Sequence, residues 1–375
     1  MHIVFISSEY PLWASGGVGT FLQTFGRAMV SRGHSITILG VGMDAEEKFL
    51  KDEGVQIIRL PKNASVLPNF VYNSLKINQA LKKIHRRQAI DIIETSELGL
   101  AIISKKHPAK KVIRLHGGHH FFSEAEKRGI HWRKGTLEKQ SFKKADGFIA
   151  VSHYVQDHTA KYLSYHGKPI SVINYPVNTK IAVPITKTAK DRILFAGTVC
   201  EKKGVRQLLE AFNLVRKKYP NKILDLYGRD WYDISGRSYI ETLKKVYEPS
   251  YFENVNFNGS ISREILNLKY LESEFCVFPS HMETQGLVTL EAMLLGKPVI
   301  FSQYGPGPET IEPYKNGLLC DTYVPNDIAE KMLWMIEHPQ EAKTMGDAGR
   351  QHVLMKYDLD RILDQNIFFY KSLQQ

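Results

Sequence analysis

Two glutamates, Glu283 and Glu291, stand with seven residues between them in the stretch 279–300. The run Phe-Cys-Val-Phe at 275–278 reads as a buried parallel strand, and 287–295 reads as the helix that follows it. Gly286 falls where the loop turns into that helix. A strand–loop–helix unit of this kind offers backbone N–H groups and the positive end of a helix to a ligand at the carboxyl edge of a sheet. Glu291 lies one turn into the helix, where a carboxylate can accept two hydroxyl hydrogen bonds from a sugar diol. Spacing alone is weak, because any acidic protein carries pairs of exposed helix carboxylates. The flanking Pro279-Ser280, the enclosed glycine and the following Gly-Lys-Pro-Val-Ile at 296–300 favour a ligand site.

Three other groupings carry chemistry. A glycine-rich segment at 15–19 (Ser-Gly-Gly-Val-Gly), centred on Gly17, separates the first strand from the first helix. Glycines there permit close backbone approach to a diphosphate. A plain tight turn is the competing reading, and the dinucleotide pattern Gly-x-Gly-x-x-Gly is absent. Lys203 lies near a helix start in the block 195–212, where a cation is electrostatically awkward unless an anion joins it. Arg114-Leu-His-Gly-Gly118 follows a strand, and His116 in it can hydrogen-bond a sugar hydroxyl or a departing phosphate. His119 and His120 follow directly, but adjacent loop histidines rarely converge on one ion. Asp358-Leu-Asp360 falls in the closing helix rather than at a strand end, so no catalytic metal is expected.

The elements that must position these groups alternate. Strand signals at 2–7, 35–40, 55–60, 90–94, 111–115 and 147–151 are separated by helical stretches, notably 70–87 and 136–144. A second series has strands at 192–196, 223–227, 255–257, 275–278 and 298–302, with helices near 204–218, 236–247, 262–271, 287–295 and 326–337. Such alternation implies doubly wound parallel sheets. The segment 176–190 reads as the linker, and a last helix spans about 358–373.

A chain of 375 residues suits two domains, and 43% hydrophobic with 24% charged residues marks a globular protein. No apolar run approaches a spanning helix, and 1–8 is not a signal peptide. Three scattered cysteines fit a reducing cytoplasm. The net charge of +11 is uneven: residues 1–182 carry +12 and the remainder −1. The helix at 70–87 sets Val71, Leu75, Leu81 and Ile84 on an apolar face and Lys76, Lys82, Lys83, Arg86 and Arg87 on its polar surface. It is either a solvated helix packed on its own sheet or a dock for anionic lipid or an anionic acceptor. No nucleic-acid recognition motif accompanies the charge, so nucleic acid is not expected as a partner.

The stretch 279–300, with the block 195–212 and the glycine-rich and His-Gly segments, resembles the retaining glycosyltransferases of the GT-B fold, family 4 in particular. The likeness spans nearly the whole chain and is most specific in its second half. It implies two Rossmann-like domains facing a central cleft: 1–182 for the acceptor, with 358–375 crossing back onto it, and 183–357 for the nucleotide-sugar donor. Carried over residue by residue, Glu283 reaches the donor sugar and Glu291 the nucleotide ribose. Backbone N–H groups from Gln285, Gly286, Leu287 and Val288 meet the sugar and the β-phosphate. Lys203 neutralises the donor diphosphate and stabilises charge developing on the leaving nucleotide. The Gly17 loop touches donor phosphate or acceptor, and His116 lies near the reacting sugar. Two departures bear on donor use. Thr198 stands where the family usually has arginine, with Lys202 and Arg192 as the neighbouring cations. Gln285 stands where an aromatic or apolar residue is common.

The resemblance also implies front-face attack with retention, and no cofactor beyond the nucleotide diphosphate sugar as co-substrate. The acceptor is a glycan or lipid-linked sugar. Glu94, Lys82, Lys83, Arg86 and Arg87 are assigned to the acceptor or membrane face of a cytoplasmic protein, peripheral on the inner face of the membrane. Two other classes stay open: a GT-B sugar-nucleotide epimerase, and a noncatalytic nucleotide-sugar-binding partner.

Overall fold

A computed structural model describes residues 1–13, 16–179, 188–189 and 191–375, apart from 126–128 and 180–187. Ser15 and most of the predicted linker lie outside the described residues. The chain divides into two compact units, Met1–Asn178 with Leu359–Gln375, and Thr179–Asp358.

In the first unit β1 (His2–Ile6), β2 (Ser35–Val41), β3 (Lys48–Asp52), β4 (Val55–Leu60), β5 (Ile92–Thr95), β6 (Lys110–Leu115), β7 (Gly147–Ala150) and β8 (Ile170–Val172) form one sheet. Its order is β3-β4-β2-β1-β5-β6-β7-β8. All neighbours are parallel except β3 with β4. Ile3, Val4, Ile92, Ile93, Val112, Ile113, Phe148 and Ile149 are fully buried, as expected of strands covered on both faces. β3 escapes sequence reading because four of its five residues are exposed and it pairs only as an antiparallel edge.

The helix Gly17–Ser31 joins β1 to β2, and Asn69–Arg87 joins β4 to β5. The apolar face predicted for the latter is rotated. Tyr72, Ile77 and Leu81 are buried, whereas Val71 and Leu75 are exposed. The closing helix Leu359–Ser372 packs on Gly17–Ser31, where Arg32 pairs with Asp360 at 2.9 Å.

In the second unit β9 (Arg192–Ala196), β10 (Ile223–Tyr227), β11 (Val255–Phe257), β12 (Phe275–Phe278), β13 (Val299–Ser302) and β14 (Leu318–Cys320) form a parallel sheet. Its order is β11-β10-β9-β12-β13-β14. The helices Val205–Lys218 and Pro325–Glu337 pack together beside it around Leu208, Phe212, Ile328 and Met332. The helix Pro339–Lys356 was not anticipated. Its mixed face buries only Ala342, Met345, Gly346, Gly349 and Val353, so its apolar period is faint. The chain changes direction between β9 and β12. In open α/β sheets ligands bind at the carboxyl ends of the strands flanking such a switch point.

Candidate active site

Two loops leave the switch point of the second unit, one after β9 and one after β12. Gly204 closes the first with φ +68, and a Cβ there would lie 1.9 Å from the carbonyl oxygen of Pro279. Only glycine allows the backbones to approach so closely. The His281 N–H donates to the Lys202 carbonyl at 3.0 Å and fastens the loops further. This brings the Lys203 ammonium onto the Glu283 carboxylate as an ion pair, and the Ser280 hydroxyl donates to the same carboxylate oxygen at 3.0 Å.

Gly286 then turns the chain into the helix Leu287–Leu294 with φ +79, and no side chain caps the helix start. A Cβ at Gly286 would meet the Phe301 ring at 2.6 Å. The first-turn N–H groups at Leu287 and Val288 are among those that a helix start leaves without an intrahelical partner. Glu291 follows in the second turn with its side chain 12% exposed, and Arg263 Nη2 donates to its Oε1 at 2.6 Å. Burial pushes the Glu291 pKa up, and Arg263 opposes the rise.

Gln285 is itself buried, 1% exposed. Thr198 sits half-buried in the loop after β9. Arg192 cannot stand in for the missing arginine: it opens β9 at the amino edge and pairs with Asp225 at 2.6 Å. An exposed cation that the sequence reading passed over, Arg229, follows β10, and its carbonyl accepts the Val199 N–H at 2.9 Å. Arg229 was legible only as a residue just past a strand's carboxyl end.

In the first unit, Gly17 opens its helix and a Cβ there would meet nothing within 4 Å, so the space above it is open. His116 leaves β6 with Nδ1 on the Tyr175 hydroxyl and its ring stacked on Tyr175 at 5.7 Å between centroids. Burial, with Arg114 adding, pushes its pKa down to about 3, so the ring is neutral. Two acids unremarked in the sequence underlie its loop. Glu138 is fully buried and accepts the backbone N–H groups of His119 and His120, the latter at 3.2 Å, and contacts the His120 ring. Glu97, just past β5, lies beside the Gly117 and His116 N–H groups, and its Oε1 is buried without a hydrogen-bond partner. Burial, with Glu138 adding, pushes Glu97 up to about 8. A Cβ at Gly118 would lie 2.3 Å from the Glu138 carboxylate. His120 is thus engaged by an acid, and among the described residues no cluster of three or more His, Cys, Asp or Glu is placed to hold a metal. Asp358 accepts the Thr179 hydroxyl at 3.0 Å.

Glu94 is not at an acceptor or membrane face. It is 2% exposed, and its carboxylate accepts Arg114 Nε at 2.7 Å and the Tyr370 hydroxyl at 2.6 Å. Its strand puts it inside the sheet, where an unpaired charge would be untenable. Lys82, Lys83, Arg86 and Arg87 do share one face and line a shallow depression with Gln79. Exposed Phe70, Val71 and Leu75 lie on the same helix, and Lys83 Nζ sits 5.9 Å over the ring of exposed Phe49.

The family model described as Glycosyl transferases group 1 matches residues 178–352, and that of Glycosyltransferase Family 4 matches 15–181. Among curated proteins, the chain is 22% identical to a glycogen synthase of Mycobacterium tuberculosis over 96% of this chain and 91% of that one. It is also 22% identical to that organism's GDP-mannose-dependent alpha-(1-6)-phosphatidylinositol monomannoside mannosyltransferase, over 96% of each. Among solved structures, a sucrose-phosphate synthase from Thermosynechococcus elongatus superimposes with a TM-score of 0.85 at 23% identity, covering 99% of this chain and 98% of that one. An Anabaena protein solved with UDP and glucose gives 0.78 at 17% identity, covering 99% and 100%.

Proposed function

The chain belongs to the group 1 glycosyl transferases, glycosyltransferase family 4, and from that premise we propose how its own residues divide the work. Its fold is GT-B, with two Rossmann-like parallel-sheet domains. It is a glycosyltransferase that moves a sugar from a nucleotide diphosphate sugar to a hydroxyl acceptor in glycan or glycolipid assembly. Neither an epimerase nor a noncatalytic binding partner finds support among its relatives.

In our reading the second unit binds the donor. Glu291 accepts the ribose hydroxyls, the N–H groups from Gln285 to Val288 meet the sugar and β-phosphate, and Glu283 reaches the sugar. Lys203 holds Glu283 in place and, once the donor enters, lies beside the diphosphate. Its charge stabilises the leaving nucleotide where a metal would otherwise be needed. Arg229, whose carbonyl accepts the N–H of Val199 next to Thr198, supplies the second positive charge. The observation that carries this reading is the meeting of Lys203 and Glu283 beside the uncapped start of the helix that holds Glu291.

The first unit binds the acceptor. Its Gly17 turn has open space above it, and neutral His116 is a hydrogen-bond partner rather than a counter-ion. The anomeric configuration is retained by front-face attack, as the likeness to family 4 implies, with the donor phosphate helping to take the acceptor proton. The basic face of Asn69–Arg87, with Phe70, Val71 and Leu75 beside it, suits an anionic membrane surface on which a lipid-linked acceptor is presented. No described helix is long and apolar enough to cross a membrane.

Thermal-shift screening of UDP-, GDP- and ADP-sugars identifies the donor, because a bound ligand raises apparent stability. The selected donor should then release nucleotide diphosphate only when a hydroxyl acceptor is present. Interconversion of the donor sugar without transfer would point instead to an epimerase.

A further inference from the structure

Arg263 is the first residue of the helix Arg263–Glu272 and was not singled out by any motif. Its guanidinium donates to one oxygen of Glu291 at 2.6 Å, and its side chain is 41% exposed where that of Glu291 is 12% exposed. The same helix buries Tyr270 completely, and its hydroxyl has no hydrogen-bond partner. These two are the charged and titratable groups that bear on Glu291 among the described residues. Glu291 and burial together keep Tyr270 neutral, so it brings no counter-charge. On the other flank, Gly349 of Pro339–Lys356 lies against the Met293 side chain of the Glu291 helix, and Asp347 of the same helix lies near Gly296, past that helix's end. A carboxylate withdrawn from water and left without a cation takes up a proton, and a neutral carboxyl is a poorer acceptor for a diol.

We propose that Arg263 is a positioning residue for nucleotide recognition: it holds Glu291 as a charged, oriented acceptor and leaves the second carboxylate oxygen for the ribose hydroxyls. The proposal rests on the donor-site reading above and adds to it a residue that sets the pH range over which the nucleotide is held. Glu291 without Arg263 titrates closer to neutrality, and nucleotide affinity then falls with falling pH. With Arg263 in place the rise that burial imposes on Glu291 is opposed, and affinity falls less over the same range.

The test is calorimetric titration with whichever of UDP, GDP and ADP wild type binds most tightly, between about pH 5.5 and 8, a range that spans shifted carboxylates. Wild type and Arg263→Lys should share one pH profile, set in part by the nucleotide's own terminal phosphate, which titrates at about pH 6. Arg263→Gln should lose roughly tenfold or more in affinity at the acid end, the scale of a charge-assisted hydrogen bond, and recover as pH rises. Circular dichroism and the folded Arg263→Lys variant separate this from misfolding. Glu291→Gln is the control for the underlying reading. If it binds as wild type does, the ribose assignment and this proposal both fall. If it binds weakly while Arg263→Gln matches wild type at every pH, or binds more tightly, only the proposal is overturned. Tighter binding would mean that the pair is a latch the nucleotide must break.

Discussion

Lys203 and Glu283 are 80 positions apart in the chain, yet their side chains form an ion pair at the carboxyl ends of adjacent strands. The pair exists because Gly204 lets two backbones touch and because His281 ties its own loop to Lys202. Removing the lysine should leave Glu283 with the Ser280 hydroxyl and no cation. Lys203→Gln should lower kcat by roughly a hundred- to a thousandfold, the usual cost of deleting one preorganised charge-stabilising donor. Steady-state rates on a folded variant check this, and a loss below tenfold would assign the lysine to structure alone.

Glu94 offers a contrasting acid, whose work is stability. Arg114 is fully buried and has Glu94, Asn366 and Tyr370 around it. Glu94→Gln removes the only negative charge in that set. The cost should be about 3–5 kcal/mol, as for breaking a buried pair by deleting one partner. Urea unfolding should show a matching fall in midpoint, with the closing helix Leu359–Ser372 loosened because Asn366 and Tyr370 lie on it.

Glu97 adds a pH signature. Its pKa is raised to about 8 in the folded protein from an ordinary value of 4.5. The native state therefore holds a proton that the unfolded chain has lost, and stability from this group is full below the ordinary value and falls as pH rises toward 8. His116, lowered to about 3, contributes with the opposite slope below its ordinary 6.5. Comparing thermal unfolding of wild type and Glu97→Gln between about pH 5 and 8 isolates Glu97. The variant should lose the downward slope, gaining relative to wild type as pH increases.

The basic helix face makes a prediction about surfaces. Wild type should sediment with phosphatidylglycerol vesicles at low salt and release as salt screens the contact. Replacing Lys82, Lys83, Arg86 and Arg87 together with Gln should abolish sedimentation and leave nucleotide binding intact. Wild type remaining in the supernatant at low salt, with efficient turnover on a neutral soluble sugar, would make this an ordinary solvated face.

The loops after β9 and β12 were legible because their residue pattern is local. Glu283, Gly286 and Glu291 fall within nine residues, on the loop, turn and helix that follow an apolar strand. The parallel strands were legible as apolar runs for the same reason. What the sequence hid is what depends on contacts between distant segments. Glu94 follows two isoleucines in its strand, and only its pairing with Arg114 and Tyr370 reveals that it faces inward. Glu97 and Glu138 become a pair only where the loop 116–120 crosses them. Val71, Leu75 and Leu81 followed a helical period, yet of these only Leu81 is buried, together with Tyr72 and Ile77. Arg263 lies 28 positions from Glu291 with nothing in its own surroundings to mark it.

The assignment of Glu291 to the ribose and Glu283 to the sugar is tested most directly by binding two ligands side by side. One is the bare nucleoside diphosphate and the other is the same nucleotide carrying its sugar, each titrated into wild type, Glu291→Gln and Glu283→Gln. Glu291→Gln should weaken both ligands by about 1.5–3 kcal/mol, since both present the ribose. Glu283→Gln should weaken the sugar nucleotide and leave the bare diphosphate nearly unchanged. If Glu283→Gln affects both ligands equally, or if Glu291→Gln affects neither, the division of the donor between the two glutamates is wrong.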